Sequence, residues 1–81
     1  MAALPIPARS AHTYPLTEIE ARRAVRIWFT GKPSLSLADW RDNRCLAHCA
    51  GLPDPYERGL VFREAFAREL SNVVAGGLHA A

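Results

Sequence analysis

The 81-residue chain has two cysteines, three histidines, a single lysine and no long apolar run. Each scarcity removes a class of protein. Two cysteines are too few for a disulfide scaffold, and Cys45 and Cys49, four positions apart on a helix, point along one face with poor geometry for bridging each other. A reducing, cytoplasmic setting is therefore expected. No stretch approaches the roughly eighteen apolar residues of a membrane span, so no membrane partner is expected. Met1-Ala2-Ala3-Leu4 lacks a charged leader, and Pro5 and Pro7 break any apolar run that would follow, which argues against a secretory signal.

The histidines are as informative in their spacing as in their number. His12, His48 and His79 fall in the N-terminal arm, mid-helix and the tail, so no nucleophile and base are brought together by sequence. Cys45, His48 and Cys49 invite a zinc reading, but a structural zinc site draws its ligands from two separated pairs and no second pair exists. Buried small thiols are the commoner outcome. The expectation is a non-enzyme with no catalytic residues, no metal and no cofactor.

Charge is modest. A net +2 excludes the large basic excess of DNA-wrapping or polybasic membrane proteins. Nine of the ten basic residues are arginine, which GC-rich coding explains as well as selection does, although arginine is the better fork for carboxylate and phosphate. With 49% hydrophobic and 22% charged residues the chain is globular. At this length it forms one domain whose small core needs every contact or a partner.

Start and stop signals predict an all-α, three-helix domain. An extended, proline-containing arm covers residues 1–16, helices span about 17–30, 37–50 and 55–75 within a domain of 17–77, and 78–81 form a tail. Thr17 and Glu20 read as a capping box, Ser36 and Asp39 as an N-cap pair, and Asp54-Pro55-Tyr56-Glu57 as a further box. Gly31 with Pro33, Gly51 with Pro53, and Gly76-Gly77 are the stops. On the longest helix Gly59, Phe62, Phe66, Leu70 and Val73 share one face, flanked by Tyr56, Leu60, Ala67 and Val74. Gly59 on that stripe suggests a helix crossing close by. Ala21, Ala24, Val25 and Trp28 form the buried arc of the first helix, and the middle helix has apolar groups on several sides, as a helix between two others does.

Two basic faces remain for function: Arg22, Arg23 and Arg26 on the first helix, and Arg41, Arg44 and His48 on the second. Arginine is enriched at binding hot spots, so these six residues are the expected contacts to a larger protein or ribonucleoprotein complex, with nucleic acid as the alternative partner. Val61 and Ala65, one turn apart off the main stripe, form an expected seam for self-association, as a monomer or homodimer. Leu46-Ala47 to Gly51-Leu52 resembles the middle of a helix-turn-helix, which implies a small DNA- or RNA-binding regulator; it departs from that pattern at Glu57, where a buried aliphatic belongs. In size, helical build and lack of a catalytic set, the whole chain is similar to small phage- and prophage-encoded inhibitors, anti-CRISPR proteins among them. That likeness implies docking on a CRISPR effector complex to block target DNA or nuclease recruitment.

Overall fold

The structure is a computed structural model that describes residues 14–76. Over these it is 83% helical and contains no strand. Helix α1 spans Pro15–Gly31, α2 Leu37–Cys49 and α3 Pro55–Gly76. The arm up to residue 13, with His12, the cap assigned to Gly77, and the tail with His79 lie outside the described residues.

Helix α1 begins two residues before the expected start. Pro15 takes a first-turn position, where its missing N–H is not needed, and the Tyr14 carbonyl accepts from the N–H groups of Thr17 and Glu18 at 3.1 and 3.2 Å. Thr17 is therefore inside the helix rather than its cap. Its side chain is fully buried and its Oγ1 lies 2.7 Å from His48 Nε2 on α2. At the other end Gly31 stays helical and Lys32 adopts the left-handed conformation, φ 50°, its N–H returning to the Trp28 carbonyl. Pro33 then forbids continuation.

The signals on α2 are as read. Ser36 accepts from the Asp39 N–H at 3.1 Å, Asp39 and His48 suit the opposite ends of the helix dipole, and Gly51 turns the chain with φ 78°. Asp54, expected as the cap of α3, has φ 54° and receives the Tyr14 hydroxyl at 3.3 Å; the Arg58 guanidinium covers the Tyr14 ring at 4.6 Å. Tyr14 thus fastens the start of α1 to the start of α3.

Four contacts made by side chains set the topology. Trp40 donates its indole N–H to the Ala24 carbonyl at 2.8 Å and His48 meets Thr17, so α2 runs antiparallel to α1. Asp42 meets Arg63, and Cys45 meets Gly59, so α3 turns back along α2. The broadest packing is between α1 and α3.

The core consists of Ala21, Ala24, Val25, Cys45, Cys49, Phe62, Ala65, Phe66 and Val73. Phe62 and Phe66 are 1% and 2% exposed and stack at 6.2 Å. Val61 and Ala65, expected as an outward seam, are instead buried at 3% and 1%. The reason is that α3 is covered from two sides. Gly59 and Phe62 face α2, while Glu69, one turn beyond Ala65, faces Arg26 of α1. The buried arc therefore widens toward 61, 65 and 69, and Tyr56 and Val74, on the opposite flank of the stripe, are left 75% and 72% exposed.

Gly59 does sit at a helix contact, but a Cβ there would lie 3.8 Å from Cys45 Sγ, an ordinary van der Waals distance. Gly59→Ala should remove the helix penalty of glycine without a clash and raise stability by about 0.5–1 kcal/mol, read as a higher midpoint in urea or thermal unfolding.

Candidate functional site

The two predicted basic faces do not survive as units. Arg26 turns inward across the α1–α3 contact, its Nε 2.8 Å from Glu69 Oε2, and the Glu69 side chain is only 6% exposed. Arg22 meets Glu18 Oε1 at 3.3 Å, while Glu18 Oε2 accepts from Arg68 of α3 at 2.8 Å, so Glu18 bridges the two helices. Arg41 and Arg63 both hold Asp42, each at 2.9 Å. The Arg41 hydrogen bond, with the charges of both arginines, keeps Asp42 below the usual carboxylate range. These arginines are committed to tying helices together or to local pairs.

What remains converges elsewhere. Arg23, Arg44 and His48, drawn from both predicted faces, line one groove of about 410 Å³ between α1 and α2. Its apolar lining is Ala24, Ala47, Trp40 and Phe62, with Ile27, 43% exposed, on the α1 side. The antiparallel pairing of α1 and α2 places Arg23 and Arg44 on opposite walls. Arg23 makes a loose pair with Glu20 at 3.4 Å and its side chain stays 67% exposed. Arg44 has no carboxylate partner among the described residues; its guanidinium rests over Trp40, 5.5 Å from the ring centroid.

The groove is held open by directional bonds. Trp40 is fixed to the α1 backbone by its indole N–H, and His48 is clamped between Thr17 at 2.7 Å and the Phe62 ring at 6.1 Å. A cationic rim over an apolar floor suits a partner that offers a carboxylate beside an aliphatic or aromatic group. Sequence periodicity did not single out Trp40, Ile27 or Glu20 as lining a site. The signal for Ile27 was its place beside the arginine arc rather than among Ala21, Ala24 and Val25.

Nothing in this groove assembles a metal site. Among the described residues no group of three or more His, Cys, Asp or Glu is placed to hold an ion. Cys45 and Cys49 are free and buried and line a separate hollow with Gly59, whereas His48 opens on the α1–α2 groove. Burial, joined by the neighbouring Cys49, pushes the Cys45 thiol up. The helix-turn-helix resemblance also meets an obstacle: Leu46, one of the apolar residues flanking the turn in that pattern, is 74% exposed. No helix among the described residues is long and apolar enough to cross a membrane.

The fold and groove together define a small three-helix domain with a cationic cleft. Compared with known proteins, the chain matches no family model, no curated protein and no solved structure.

Two measurements separate the structural arginines and thiols from the groove. Arg26→Ala should strand the nearly buried Glu69 carboxylate and lower stability by about 2 kcal/mol, partly restored by a second change, Glu69→Gln, whereas Arg23→Ala and Arg44→Ala should stay within about 0.5 kcal/mol of wild type. For the Cys45 thiol, a raised folded-state pKa contributes stability that is complete below the unfolded value and is lost as pH rises through the folded one. The urea midpoint should therefore fall above about pH 8.5, and Ellman's reagent should react slowly until urea is added.

Proposed function

We propose that this protein is a non-enzymatic docking module that acts by occupying an acidic surface of a larger protein or ribonucleoprotein complex. The carrying observation is the convergence of Arg23 and Arg44 on an apolar groove while Arg22, Arg26, Arg41, Arg63 and Arg68 are engaged with carboxylates. Of the arginines expected to meet a partner, Arg44 holds no carboxylate among the described residues and Arg23 holds only Glu20, at 3.4 Å from an exposed side chain, so these two are the readiest to exchange for a partner's carboxylate. The exposed Ile27 and half-buried Trp40 supply the apolar burial that surface ion pairs lack.

Size and build remain similar to those of the phage-encoded anti-CRISPR inhibitors. In that reading the acidic surface belongs to a subunit of a CRISPR effector complex, and occupation of it blocks target DNA or nuclease recruitment. A net charge of +2 fits covering a partner's acidic patch better than imitating DNA. Nucleic acid is the weaker reading because a net charge of +2 supplies little of the sequence-independent attraction to phosphate on which such binding rests.

The test compares wild type with the double variant R23A/R44A in affinity purification from the native host, with mobility shifts on duplex and single-stranded DNA beside it. The expected result is at least a tenfold drop in partner recovery, about 1.4 kcal/mol, with helicity unchanged. Recovery equal to wild type would remove the groove from function. DNA retention with a log–log salt slope near −0.9 per phosphate would replace the protein partner with nucleic acid.

A further inference from the structure

The α1–α2 groove leaves unexplained the two most exposed large apolar side chains of the described residues. Leu46 is 74% and Tyr56 75% exposed, and both line a second hollow of about 310 Å³ between α2 and the first turns of α3. Its inner wall is Cys45, Cys49 and Gly59, small groups that leave a depression rather than a flat surface. Exposing Leu46 and Tyr56 side by side is unfavourable in water, and the position of Leu46 beside a depression sets a protrusion next to a cavity of similar character.

The charges lining this hollow point to what covers it. Asp42 and Arg63 line it, opposite in sign, 2.9 Å apart, each side chain 50% exposed. A partner carrying charge of one sign would gain at one of these groups and lose at the other. A second copy of this chain related by a two-fold axis has no such conflict, because each Arg63 is set against the partner's Asp42 and each Asp42 against the partner's Arg63. The same operation can place each Leu46 at the partner's depression.

We infer that the α2–α3 hollow is a homodimer interface, with Leu46 and Tyr56 as its apolar centre and reciprocal Arg63–Asp42 pairs at its rim. This places self-association on the face opposite the cationic groove, so the dimer keeps both α1–α2 grooves open. It also moves the contact away from Val61 and Ala65, which are inside the protomer.

Sedimentation equilibrium of the full chain from low micromolar to millimolar concentration tests the inference. The mass should rise from 8.9 kDa toward twice that value. Leu46→Asp, at an exposed position and with folding checked by circular dichroism, should weaken association at least tenfold. D42R and R63D should each weaken it, since every rim contact then pairs like charges, while an equimolar mixture of the two should recover it. In the mixture one contact joins Arg63 of the first chain to Asp42 of the second, and the other joins the two introduced charges. A wild-type mass of 8.9 kDa at every concentration would overturn the inference and leave the hollow to an unrelated apolar partner. Dimerisation of L46D at wild-type strength, or a mixture no better than either charge variant, would overturn it as well.

Discussion

Everything in this domain depends on α3 being shared by two helices at once, and Phe62 is where that sharing happens. Its ring is 1% exposed, stacks on Phe66, meets the His48 ring of α2 and lines the groove that α1 and α2 leave between them. A single residue thus belongs to the core and to the cleft. A chain this short cannot build a core first and a site afterwards, because little surface lies more than one side chain from the centre.

Apolar burial supplies the driving force but has no direction, so the spacing of the helices comes from a few polar contacts. Thr17 with His48 and Trp40 with the Ala24 carbonyl fix α2 against α1; Arg26 with Glu69 fixes α1 against α3. Each joins residues far apart in sequence and each has a partly or fully buried member. Loss of one member would leave a polar group without its partner in a poorly solvated place, which is why these contacts also set the register. The width of the cationic groove follows from the first two.

The arginines divide by the same logic. Those on the α1–α3 and α2–α3 boundaries find carboxylates across the contact and serve cohesion, while on the α1–α2 side Arg44 rests on Trp40 and Arg23 reaches only Glu20 of its own helix, at 3.4 Å, and stays mostly in water. The acidic residues are unevenly placed. Glu69 and Glu18 serve the α3 side of α1, and Asp42 serves the α3 side of α2, so the remaining cleft sets Arg23 and Arg44 against the single carboxylate of Glu20. The proposed docking and dimer surfaces differ for this reason: one has unbalanced charge, the other balanced.

Local signals determined the number of helices, the Ser36 cap and the turn after α2, and the Phe62–Phe66 face, because caps, glycines and periodicity act over one or two turns. They also marked all six basic residues as candidates. What they could not contain is how many neighbours cover a given face. Thr17 read as a cap until α2 was found to bury it, Val61 and Ala65 read as an outer seam until α1 covered them, and Arg26 read as a docking residue until Glu69 met it. Helical periodicity specifies the direction in which a side chain points, whereas burial and pairing depend on what another element, tens of residues away, places in front of it; only the tertiary structure decided that.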